Sequence, residues 1–130
     1  MKKYLLIVLV LYLIVVAFKC ESDDGLVTQE DEQTELSILK TEIETLANTS
    51  ICNETTTCKF IAFGDKPCGG PWSYLLYSTS INTNELENLV EVYNKKEKEY
   101  NTKWGVMSNC AIVTMPTNVE CENNHCVAVY

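Results

Sequence analysis

The residues best equipped for chemistry in this chain are its cysteines: Cys20, Cys52, Cys58, Cys68, Cys110, Cys121 and Cys126. A thiol can serve as nucleophile, metal ligand or half of a disulfide, and spacing discriminates between these uses. The last six are separated by 5, 9, 41, 10 and 4 residues. No gap makes the C-x-x-C of a thioredoxin-like redox site or a zinc ribbon. Six cysteines suit three disulfides in an oxidising compartment, with Cys20 left over. The single histidine, His125, falls on the flank of a tight hairpin. A Ser–His–acid triad or a multi-histidine metal site is therefore hard to assemble. Paired carboxylates remain a route to glycoside hydrolysis, but most acids fall in a tether and on helix faces. Asp65 is the one loop acid of interest, and beside a Gly-Pro corner its ordinary role is turn capping. We therefore expect no enzyme, no metal and no cofactor.

The stretch "PCGGPW", residues 67–72, is the other chemically distinctive feature. Gly69 and Gly70 permit backbone angles closed to other residues, and Pro67 and Pro71 stiffen both sides. It fails as a phosphate loop, because the glycines are adjacent and a strand, not a helix, follows. A rigid, disulfide-held turn is the plain reading. The functional one is a recognition loop offering Asp65, Lys66, Gly69, Gly70 and Trp72, since a stiffened loop loses little entropy on binding.

Six cysteines allow fifteen pairings, among which sequence does not choose in general, and local geometry argues for one pair. In "VECENNHCVAVY", Asn123 and Asn124 suit a two-residue turn with positive φ. Cys121 and Cys126 then face each other at the close, non-hydrogen-bonded position, within the ~4.4–6.8 Å of Cα separation a disulfide needs. Cys52 and Cys58 flank "NETTT", which can turn between them. Cys68 with Cys110 follows by elimination.

These cysteines need elements to position them. Leu36, Leu39, Ile43, Leu46 and Ala47 recur at helical spacing and predict a helix over 32–48. "CKFIAFG" and "WSYLLYSTS" read as strands on either side of the turn-rich "GDKPCGGP". Asn82, with Glu85 three residues on, starts a second helix that buries Leu86, Leu89, Val90, Tyr93 and Tyr100. Lys95, Lys96 and Lys98 suit the negative end of its dipole. "CAIVTMP" reads as a third strand stopped by Pro116, and the terminal hairpin supplies two more. The expected fold class is α+β: an antiparallel sheet with helices packed on one face, disulfide-stabilised.

The N-terminus differs from the rest. Lys2 and Lys3 precede fifteen apolar residues, Tyr4–Phe18. That is a signal-peptide core and short for a bilayer span. Residues 1–19 are expected to be a signal peptide, 20–31 an acidic flexible tether and 32–130 the domain. With its charged start, apolar run and boundary Cys20, the chain resembles a bacterial lipoprotein precursor of the kind common in the Bacteroidetes. That resemblance implies acylation of Cys20 as the mature N-terminus. Lys19 departs from the family, which has a small residue before the cysteine. Cleavage after Ala17 is the alternative, giving a secreted protein with Cys20 as a spare thiol.

From Glu21 onward, 18 acids face 7 lysines, a net charge of −11. This argues against nucleic acid or an anionic lipid surface as partner. The spacing "C-x5-C-x9-C-G-G-P-W-x-Y-x-x-Y-S", then "S-N-C-x-x-V-x-x-P" and "C-x4-C", resembles a group of small exported bacterial cysteine-rich proteins. It implies disulfides and no catalytic residue. The expected function is a lipid-anchored, non-catalytic envelope protein with a protein partner. The alternatives are a secreted protease inhibitor presenting loop 65–72 and a small carboxylate-dependent hydrolase.

Overall fold

The computed structural model describes residues 27–130. The expected signal peptide, Cys20 and the tether up to Leu26 lie outside the described residues. The element order is α1 (Gln29–Asn48), β1 (Cys58–Phe63), β2 (Ser73–Ser78), α2 (Thr83–Trp104), β3 (Asn118–Glu122) and β4 (His125–Val129). The fold class is α+β, with antiparallel strands and three disulfides. The strands form two separate two-stranded sheets, β1–β2 and β3–β4, rather than one.

α1 starts at Gln29, three residues before the expected start at residue 32. Thr28 explains this: its hydroxyl accepts the Asp31 N–H at 3.2 Å, and the Asp31 carboxylate accepts the Thr28 N–H at 2.9 Å. This capping box satisfies amides that would otherwise lack partners at the helix start. It draws Gln29, Glu30 and Asp31 into the helix, although their composition matches the tether. α2 is capped by Asn82, whose side chain accepts the Glu85 N–H at 3.3 Å. It stops at Gly105, which takes the left-handed conformation at φ 61°.

The two helices pack antiparallel and are tied where the start of α1 meets the end of α2. Gln29 donates to the Tyr100 hydroxyl, and Lys96 pairs with Glu35. The Glu32 carboxylate accepts from Lys103 Nζ at 2.5 Å and Trp104 Nε1 at 2.6 Å. Those two donors, Lys103 foremost, hold Glu32 below the ordinary carboxylate range. The core joins Ile43 and Ala47 of α1, Leu86, Val90 and Tyr93 of α2, Phe63 of β1 and Tyr77 of β2. In the β1–β2 register Ile61 lies opposite Leu75 and Lys59 opposite Tyr77. Ile61, Phe63, Leu75 and Tyr77 therefore share the face that meets the helices. Phe60 and Tyr74 stack edge-to-face on the other.

The terminal hairpin follows its sequence signal. Asn123 and Asn124 have φ of 49° and 66°, and Cys121 lies opposite Cys126. The expected third strand does not form: residues 110–116 run as irregular chain. Cys110 is pinned to Cys68, and the Ala111 carbonyl is taken by the Lys66 ammonium at 2.6 Å. A segment held this way has no neighbouring strand on which to build a ladder.

Two of the three expected pairings are also corrected. The bridges are Cys52–Cys121, Cys58–Cys126 and Cys68–Cys110, with Cα separations of 5.8, 5.6 and 5.5 Å. Cys121 and Cys126 do face each other, and the 53–57 segment does turn, through Thr56 N–H to the Asn53 carbonyl. Yet the hairpin lies against that turn, with Cys52 N–H donating to the Asn124 carbonyl at 3.0 Å. The sulfurs of Cys52, Cys58 and Cys126 all lie within 4.8 Å of one another. Each hairpin cysteine takes a partner across this contact instead of its neighbour.

Candidate functional site

The loop between β1 and β2 sits at the end of the molecule opposite the paired bridges. Its main chain is held by one face of α2. Asn94 accepts the Gly64 N–H at 2.7 Å and donates to the Ala62 carbonyl at 3.0 Å. Glu97 Oε2 accepts the Asp65 N–H at 2.6 Å, and its Oε1 accepts the Tyr93 hydroxyl at 3.1 Å. Asn101 donates to the Asp65 carbonyl at 2.6 Å. Residues 94, 97 and 101 share a helix face by their spacing. That face continues the apolar stripe of Leu86, Val90 and Tyr93 toward the loop. Sequence reasoning missed these three. The available signal was polar residues falling in register with a buried stripe.

Gly64 is required twice. Its φ is +83°, and a Cβ there would lie 2.5 Å from Trp72 Cδ1 and 2.9 Å from Glu97 Oε2. Beyond it the loop closes on itself, with Lys66 N–H to the Gly70 carbonyl at 2.8 Å and Gly69 N–H to the Lys66 carbonyl at 2.7 Å. Gly69 and Gly70 take positive φ as their sequence suggests, and a Cβ on either would meet nothing. Cys68, Gly69 and Gly70 are the exposed crest.

The expected binding-loop residues divide accordingly. Lys66 is not presented to solvent: it is 5 % exposed. Its ammonium binds the Ala111 carbonyl and lies 5.2 Å from the centre of the Trp72 ring. This corrects its expected role as an exposed recognition residue, since its buried ammonium, set over the indole and bound to Ala111, is spent on joining two loops. Asp65 is half-buried and supplies its main chain to α2. Trp72 is 42 % exposed and starts the return, donating its N–H to the Phe63 carbonyl at 3.0 Å. His125 is exposed on the hairpin flank at the other end, far along the chain from the loop.

Beside the loop runs a groove of about 430 Å³ between α1, α2 and the start of β2. Leu36, Phe63, Trp72, Tyr93 and Tyr100 give it apolar and aromatic walls, with Glu97 at its edge. Burial, reinforced by Glu97, pushes the Tyr93 phenol well above its usual range, so the wall it forms is neutral. Such a groove can accept an apolar side chain or ring. Its one carboxylate at the loop already accepts two hydrogen bonds.

Among the described residues, no helix is long and apolar enough to cross a membrane. Comparison with protein-family models, curated proteins and solved structures finds no match to this chain. Three disulfides are the chemistry of an oxidising compartment, on the exported or extracellular side of a cell.

Proposed function

We propose that this is a non-catalytic domain of the bacterial cell envelope, anchored by lipid on Cys20, that binds or supports a protein partner at the membrane surface. The observation that carries the reading is how the polar groups of the loop are used. Asn94, Glu97, Asn101 and Lys66 are the side chains an active site there would draw on, and each one holds main chain. What remains open beside them is mostly apolar and aromatic: the half-exposed Trp72 and the groove beside it, which Gln33, Ser37, Lys40 and Ser73 also line. A surface stiffened by a bridge and by an α2 clamp gives up little entropy on binding, which favours recognition over chemistry. The charge of −11 after residue 20 favours a partner other than nucleic acid. Support for the anchor comes from Lys2, Lys3, the apolar run Tyr4–Phe18 and the cysteine at its boundary.

The test is metabolic labelling with an alkyne fatty acid in a bacterial host. The wild-type chain takes up label and fractionates with membranes, whereas Cys20→Ser takes up none and is released. Label that persists on Cys20→Ser excludes acylation at that thiol.

A further inference from the structure

Met107 and Ile112 are 92 % and 94 % exposed, the highest values among the large apolar side chains of the described residues. Both belong to the 105–116 segment that follows α2. Between residues 107 and 116 no main-chain hydrogen bond to another main-chain group is present among the described residues. The segment is nevertheless held in place. Val106 N–H caps α2 at Asn101, Cys110 is bridged to Cys68, and Ala111 is bound by Lys66. An apolar stretch fixed in an exposed position is an interaction surface.

The position of the chain's entry says what it meets. α1 begins beside the end of α2, because Gln29 reaches Tyr100 and Glu32 reaches Lys103 and Trp104. Val27, itself 56 % exposed, therefore enters at the same end as Gly105, Val106 and Met107. Only six residues, Glu21–Leu26, separate Cys20 from Val27. Seven Cα–Cα steps reach at most about 25 Å, less than the ~30 Å length of the 20-residue α1. A lipid on Cys20 thus keeps this end close to the bilayer at high effective concentration.

We infer that the 106–115 segment, with Met107 and Ile112 at its crest, docks onto the bilayer beside the anchor. This rests on the lipid-anchor reading above. The contact is interfacial: the side chains enter the acyl boundary while the main chain, its Ala111 carbonyl held by Lys66, stays among hydrated headgroups, where water satisfies its other groups. The acidic charge of the domain selects neutral lipid over anionic lipid. The paired bridges and the Asn123–Asn124 turn then point away from the membrane, and the groove beside Trp72 lies close to the surface.

The experiment places the full acylated chain on phosphatidylcholine vesicles and treats it with the water-soluble oxidant chloramine-T. Free N-acetylmethionine amide in the same tube sets the rate for an open thioether. Flotation reports the anchor, and peptide mass spectrometry reports sulfoxide at Met107. The chain is expected to float with Met107 oxidised roughly five-fold more slowly than the free amide, as for a face docked about four-fifths of the time. Ile112→Glu, at a fully open position, is expected to float while Met107 returns to the free rate. A wild-type chain that floats with Met107 at the free rate overturns the docking and leaves the anchor standing. A chain that does not float overturns both. Protection that rises with protein density at constant lipid assigns the face to a second copy and overturns the lipid contact.

Discussion

Replacing Gly64 by alanine separates two costs that are usually confounded. At φ +83° any L-residue carries a backbone penalty of about 1–2 kcal/mol. Gly69, at φ +91°, carries the same penalty but has open space where a Cβ would go. At Gly64 the added methyl would meet Trp72 Cδ1 at 2.5 Å and Glu97 Oε2 at 2.9 Å. Neither atom is free to leave. Trp72 is fixed by its N–H bond to Phe63 and by Lys66 against its ring, and the Glu97 carboxylate accepts from Asp65 and Tyr93. Overpacking of this kind costs about 1–3 kcal/mol more. Gly64→Ala should therefore destabilise by about 2–5 kcal/mol and Gly69→Ala by about 1–2 kcal/mol. In urea, with a slope of about 1–2 kcal/mol per molar, the midpoints should differ by roughly 1–2 M. Equal midpoints for the two variants would show that the α2 clamp and the Trp72 contact do not constrain the loop.

The bridges give a second expectation. Cys52–Cys121 and Cys58–Cys126 span 69 and 68 residues and close nearly the same loop. Removing either as a double alanine variant should cost about 3 kcal/mol, and removing both about 7 kcal/mol, measured by urea unfolding without reductant. Burial foremost, then Glu87, raises the Tyr77 phenol, and burial foremost, then Glu97, raises that of Tyr93. Both contribute stability that is full below the unfolded tyrosine pKa of about 10 and lost as pH climbs above it. Absorbance at 295 nm should show two tyrosines ionising only as the fold is lost. Glu87 behaves in the opposite sense: Tyr77 first and Lys59 second hold it below the usual carboxylate range. Its contribution is present above about pH 4.5 and lost as pH falls below that, so Glu87→Gln should flatten acid unfolding monitored by circular dichroism. Asn101, 9 % exposed, donates to Asp65, and Asn101→Ala should cost about 1–3 kcal/mol in urea by leaving that carbonyl without its partner.

What could be read from the sequence was what neighbours decide. The apolar stripes of both helices, the Asn82 cap and the Asn123–Asn124 turn depend on residues within a few positions of one another, and each is present. The start of α1 was also local, but its Thr28–Asp31 box lay inside an acidic stretch whose composition reads as tether. The failures are long-range. Cys121 faces Cys126 as the hairpin requires, yet which bond forms depends on where that hairpin lies relative to residue 52, and no local pattern encodes this. Residues 110–116 have the composition of a strand, but a strand needs a neighbour, and the Cys68 bridge and Lys66 place this one beside a loop. Lys66 itself reads as an exposed loop cation. Its burial depends on an indole six residues on and a carbonyl at residue 111.

The sulfur map tests the account most directly. Glu54 lies between Cys52 and Cys58, and Glu122 between Cys121 and Cys126. Digestion of the unreduced protein with a glutamate-specific protease therefore puts these four cysteines on separate peptides. Cys58 and Cys68 remain together on peptide 55–85, so mass spectrometry should find the Cys52 peptide joined to that of Cys121, and peptide 55–85 joined to both the Cys126 and the Cys110 peptides. Peptides joining Cys52 to Cys58 and Cys121 to Cys126 would contradict the docking of the terminal hairpin, and with it the arrangement of the whole domain.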